Sequence, residues 1–113
     1  MSHGPLHVIA EVTAKPDAAE SLWTHISRLV APCRNEHGNL AYNVLRDVDD
    51  PAHFLFTEVW QTRADFDAHV ASKHLAAYDQ ATRHLIDIPV RITVCHMMSS
   101  SSAPDQTLDR PHA

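Results

Sequence analysis

Residues 54–78 read FLFTEVWQTRADFDAHVASKHLAAY, and the reading of this stretch decides the fold. Its first seven residues behave as a strand. Phe54, Phe56, Glu58 and Trp60 share one face, and Leu55, Thr57 and Val59 share the other. Apolar weight on both faces means that both should be covered. Glu58 then becomes a carboxylate among aromatic rings, where an unpaired charge is costly. Gln61-Thr62 turns the chain, and Thr62 with Asp65 forms a short capping box, Asp standing in for the usual Glu, that starts a helix. The helix carries His69 and His74. On one unbroken helix that spacing points the two rings to different faces. A break near Ser72, which can recap a second piece running to His84, would bring them together. One carboxylate, one indole and two imidazoles thus fall within a single strand-turn-helix unit.

Working outward, Leu6 to Thr13 alternates weakly and reads as a first strand. Lys15-Pro16-Asp17 breaks it, and Asp17 is placed to cap the helix that follows. Ala19, Leu22, Trp23, Ile26, Leu29, Val30 and Cys33 recur at helical spacing and define its buried stripe. Pro32 should kink or end this helix, and His37-Gly38 stops it. Leu40 to Arg46 is a second strand, with Tyr42 and Val44 opposite Ala41, Asn43 and Leu45. Asp47 to Pro51 turns it into the strand at Phe54, giving a hairpin. Leu75, Tyr78 and Leu85 are the expected buried positions of the later helical piece. Pro89 marks a boundary, after which Val90 to Met97 alternates as a fourth strand.

The order is β-α-β-β-α-β, the split βαβ arrangement of an α+β, ferredoxin-like fold. It predicts a four-stranded antiparallel sheet with two helices on one face. The bare sheet face predicts a homodimer joined through the sheets. The domain is expected over residues 6–98, with residues 99–113, SSSSAPDQTLDRPHA after Met98, as a serine- and proline-rich flexible tail.

A chain of 113 residues, 44% hydrophobic and 20% charged, fits one ordinary globular domain. The net charge of -5 leaves no basic stripe for nucleic acid and does not suit an anionic membrane surface. No apolar run approaches the roughly 20 residues of a spanning helix. The N-terminus lacks the pattern of a signal peptide, and Cys33 and Cys95 read as reduced thiols, so the cytoplasm is the expected location. The ten histidines follow no HxH or HExxH spacing, and no metal site is expected.

Residues 35–78, NEHGNLAYNVLRDVDDPAHFLFTEVWQTRADFDAHVASKHLAAY, resemble the antibiotic biosynthesis monooxygenase (ABM) domain family. The resemblance rests on Gly38, on Tyr42 and Asn43, on the Asp47–Pro51 turn, on Glu58 and Trp60, and on His69, Ser72, His74 and Leu75. It extends over residues 6–98 and implies a dimeric α+β barrel. The family includes cofactor-free oxygenases of quinols and anthrones, and an isomerase that processes autoinducer-2. A related branch degrades haem with an Asn, a Trp and a His. The matching positions here are Ile9, His69 and Asp79, so haem breakdown is not expected. Leu75 departs from the pattern, where an aromatic is common.

The resemblance implies a monooxygenase of a quinol or polycyclic phenol that uses molecular oxygen and no cofactor. His74 or His69 is the expected base, Glu58 its orienting carboxylate, and Trp60, Asn43 and Tyr42 the substrate contacts. Tyr42 and Asn43 point to opposite faces, so only one of them can face a given pocket. The alternatives are an isomerase of a small dicarbonyl, with Arg46, Arg63 or Lys73 meeting a phosphate, and a non-catalytic dimer that sequesters a small aromatic.

Overall fold

The computed structural model describes residues 4–101. Strand β1 (Leu6–Ala14) leads through Lys15–Ala18 into helix α1 (Ala19–Arg34). Strands β2 (Asn39–Arg46) and β3 (His53–Trp60) follow, then helix α2 (Arg63–Val70), helix α3 (Lys73–Thr82), a 3₁₀ turn (Arg83–Leu85) and strand β4 (Ile86–His96). The strands form one antiparallel sheet in the order β2-β3-β1-β4. This is the ferredoxin-like α+β fold, with its second helical segment in two pieces. Most of the expected tail lies outside the described residues. Among those described, no helix is long and apolar enough to cross a membrane.

The inner sheet face carries Val8, Ala10, Val12 and Ala14 of β1 and Phe54, Phe56, Glu58 and Trp60 of β3, all buried. Against it lie Leu22, Ile26, Leu29 and Cys33 of α1, at spacings of four, three and four, so that one stripe faces the sheet. Phe66 and Leu85 complete this core, while Leu75 and Tyr78 pack at its edge half-buried.

Four local expectations are corrected. Asp17 does not cap α1; the N-cap is Ala18, with no side-chain bond. Pro32 does not end α1, which runs two residues further to Arg34. Its ring is exposed, and the Arg28 carbonyl that loses its donor belongs to an exposed residue that water can reach. Trp23 is 39% exposed and is not core; its ring stacks on Phe54, centroids 6.2 Å apart, and the Arg46 guanidinium lies 4.6 Å above the Phe54 ring. Pro89 lies inside β4, not at its boundary. β4 is an edge strand, and its pairing with β1 shifts between Glu11 and Thr13, so a bulge absorbs the residue that cannot donate.

Gly38 ties the two halves of the chain together. Its φ is +80°, and its carbonyl accepts from the Gln61 backbone N–H at 2.8 Å. A Cβ there would run into the Asp65 carboxylate. Asp65 is held in place: its Oδ2 accepts from the Thr62 hydroxyl at 2.8 Å, and its Oδ1 is 2.9 Å from His37 Nδ1. The His37 imidazole and the Thr62 hydroxyl hold the Asp65 carboxyl below the usual range. Gly38→Ala is therefore expected to lose roughly 2 kcal/mol or more, from the left-handed backbone and the collision together. Urea unfolding measures it, and an unchanged midpoint would refute this account of the turn.

Candidate active site

Three helix ends converge over β3. Glu58 and Trp60 close the inner face of that strand. Helix α2 starts at Thr62, whose hydroxyl accepts from the Asp65 N–H at 3.1 Å, and brings Phe66 and His69, one turn apart, down onto Trp60. The helix stops at Ala71. Ser72 then donates to the His69 carbonyl at 2.7 Å and caps α3 through the Leu75 N–H, which swings His74 back toward His69. Past the end of α1, the Glu36 N–H donates to the Cys33 carbonyl at 3.1 Å and the Glu36 side chain turns to the same spot.

One carboxylate oxygen joins the two imidazoles. Glu36 Oε2 is 2.7 Å from His69 Nδ1 and 2.8 Å from His74 Nε2. On the far side of the His69 ring, Nε2 lies 3.7 Å from Glu58 Oε1. That Glu58 oxygen accepts the Trp60 indole N–H at 2.9 Å. The Trp60 and His69 rings pack with centroids 4.7 Å apart, and Tyr42 meets His69 edge-on at 5.9 Å. Since a carboxylate only accepts, the Nδ1 hydrogen of His69 belongs to Glu36, and the Nε2 lone pair is left toward Glu58. A proton arriving at Nε2 would sit between two carboxylates.

Burial sets the chemistry of the neighbours. It raises Glu58 above the usual carboxylate range, against the lowering influence of the Trp60 N–H and of His69. It pushes the Cys33 thiol up to about 12 and the Tyr42 phenol well above its ordinary value. The Tyr42 hydroxyl lowers the Cys33 thiol against that rise. Tyr78 is likewise pushed up to about 12 by burial.

Beside this network, between the sheet and helices α2 and α3, lies a cavity of about 510 Å³. Val8, Ala10, Val12 and Phe56 form its floor, and Phe66, Val70, Leu75 and Tyr78 its helical wall. Ile86, Val90 and Ile92 continue the lining along β4. The polar groups are few: Tyr42, Glu58 and His69 at one end, Asp79, Thr82 and Arg83 elsewhere. An apolar chamber of this size with a few converging polar groups is the usual form of a small-molecule site.

The sequence-predicted residues divide. His69, Glu58 and Tyr42 line the cavity. His74 does not; it is half-buried and reaches His69 only through Glu36. Trp60 does not line it either; it is fully buried behind His69 and holds Glu58. Asn43 is exposed on the outer sheet face, opposite Thr57, away from the cavity. Arg46, Arg63 and Lys73 are exposed and outside the lining. Glu36, Asp79 and Arg83 were missed. Glu36 lies in a polar loop after a helix, with only its nearness to Gly38 to mark it. Asp79 and Arg83 are four apart on a helix, a pattern that a solvated face also shows.

A family model described as antibiotic biosynthesis monooxygenase matches residues 5–81. Rv0793 of Mycobacterium tuberculosis is 30% identical over 99 residues, 88% of this chain and 97% of that protein. The chain also matches the Synechocystis protein sll1783, 28% identical over 80% of this chain, and spans 61% of that relative's length. Among solved structures, PA3566 of Pseudomonas aeruginosa superposes with a TM-score of 0.80 at 31% identity, covering 85% of this chain and 96% of that one.

Proposed function

The chain belongs to the antibiotic biosynthesis monooxygenase family, and from that premise we propose that it is a cofactor-independent monooxygenase of a quinol or polycyclic phenol. The observation that carries this reading is the imidazole of His69 in the wall of an apolar cavity, flanked by Glu36 and Glu58. Such chemistry asks a protein for a base near neutrality, donors for an anion and a dry chamber; a free histidine titrates near 6.5. His69 Nε2 takes the phenolic proton. The phenolate gives one electron to oxygen, and the resulting superoxide and aryloxyl radical join at a ring carbon to form a C–O bond. The distal peroxide oxygen is then protonated. Loss of the hydrogen on that carbon as a proton forms C=O as the O–O bond breaks, and the distal oxygen leaves as water. The sum is quinol plus O₂ to hydroxyquinone plus water. The Tyr42 hydroxyl, whose pKa is raised, serves as a donor to the phenolate oxygen. Glu36 holds the His69 tautomer, and Glu58 stabilises the imidazolium.

Protein-dependent oxygen uptake with menadiol, corrected for the rate without protein, tests the reading. No such uptake across several quinols would remove it. Arg83 in the lining favours a second reading, an isomerase of a small phosphorylated dicarbonyl that uses the same base. Product analysis under nitrogen separates the two, because only the isomerase turns over without oxygen.

The reading includes a homodimer through the outer sheet face. Ile9 and Leu45 are 39% and 50% exposed there, beside half-buried Leu55 and Val59, and no helix among the described residues covers them. Light scattering is expected to give twice the chain mass, and Leu45→Glu to shift it toward one; a monomer in the unaltered protein would refute the pairing. The free thiols of Cys33 and Cys95 suit a reducing compartment, and the reading places the protein in the cytoplasm.

A further inference from the structure

Four potential metal ligands, three from helices and one from a loop, meet at the spot where Glu36 joins the two histidines. Cys33 comes from the last turn of α1, Glu36 from the loop after it, His69 from the end of α2 and His74 from the start of α3. One ligand atom from each lies within 4.8 Å of all the others. We propose that Cys33, Glu36, His69 and His74 form a binding site for a thiophilic divalent cation, zinc(II) foremost.

The donor set argues for the ion. One thiolate, two imidazoles and one carboxylate together suit zinc, and hard cations such as magnesium or calcium take oxygen ligands instead. The geometry is close to what the ion needs. Bonds of about 2.0–2.3 Å around a tetrahedral centre put ligand atoms roughly 3.3–3.8 Å apart. Glu36 Oε2, at 2.7 and 2.8 Å from the two nitrogens, has to withdraw by roughly half an ångström to reach that spacing. It belongs to a flexible side chain on a loop, and the widest pair, within 4.8 Å, closes by up to about 1 Å. Cys33 and His69 are buried, whereas the His74 side chain is 31% exposed, so the ion would enter past His74.

The surroundings fit as well. A metal-bound histidine usually donates its other ring N–H to a carboxylate. Coordination through Nδ1 moves the His69 hydrogen to Nε2, where Glu58 stands 3.7 Å away, itself held by the Trp60 indole. Binding releases the thiol proton to solvent. If the oxygenase reading above holds, loading also has a functional consequence. The nitrogen that serves as base gains a hydrogen, so the ion acts as an inhibitor.

Cobalt(II), a spectroscopic stand-in for zinc, provides the test on the full chain after chelator treatment and dialysis. One equivalent is expected to produce a thiolate-to-cobalt charge-transfer band in the near ultraviolet and strong visible bands of a tetrahedral centre, both erased by one equivalent of zinc. Cys95→Ser should keep the charge-transfer band and Cys33→Ser should lose it. Should Cys33→Ser fail to fold, His74→Ala, altered at a half-exposed position, decides the matter by weakening zinc binding at least tenfold. No charge-transfer band in the unaltered protein, a band that survives Cys33→Ser and so belongs to Cys95, or zinc affinity unmoved by His74→Ala would each overturn the site. The binding result stands apart from the oxygenase reading, since a protein that consumes no oxygen with any quinol still reports on cobalt.

Discussion

Replacing His69 with alanine is expected to lower menadiol-dependent oxygen uptake by roughly 10²- to 10⁴-fold, the span that a positioned general base supplies. Among the described residues the ring is the one imidazole in the cavity lining, and its Nε2 is the nitrogen left free by the bond from Nδ1 to Glu36. The substitution also leaves the buried Glu58 carboxylate and Glu36 facing a void, so some loss of stability accompanies it. His69→Gln separates the two effects. Its amide can still donate to Glu36, yet it has no basic nitrogen, so a folded and equally inactive protein is expected. Circular dichroism with uptake on the same sample checks both. Full activity in either variant would move the base to another group. His74→Ala, which touches His69 only through Glu36, should cost far less.

Trp60→Ala is expected to cost about 3–5 kcal/mol in urea unfolding, the usual range for deleting a large buried aromatic. Trp60 has no exposed surface, packs against Phe66 and His69, and is among the largest side chains in the core. Trp60→Phe isolates its polar contribution. Phenylalanine keeps much of the packing but loses the N–H that donates to Glu58 at 2.9 Å. A buried carboxylate stripped of that donor costs roughly 1–3 kcal/mol. The loss should shrink in Trp60→Phe combined with Glu58→Gln, because the second change removes the charge that the indole holds. Equal losses with and without Glu58→Gln would mean that the bond contributes nothing and that only volume matters.

What the chain declares about itself is local. The alternation from Phe54 to Trp60, the α1 stripe, the Thr62 cap and the recapping at Ser72 were all legible, because each depends on neighbours two to four positions away. From these came the element order and the fold, and so did the placement of Glu58 on the inner face. The break that turns His74 back toward His69 was legible for the same reason. Its partner was not: Glu36 meets His69 from 33 positions away and His74 from 38. No short-range pattern encodes such a meeting, since it depends on how the end of α1 packs over the junction of α2 and α3. The same packing withdrew Trp60 and His74 from the cavity, left Asn43 outside and brought Asp79 and Arg83 in. Periodicity assigns a side chain to a face of its own element. Which faces then enclose a chamber is settled only when the elements close on one another.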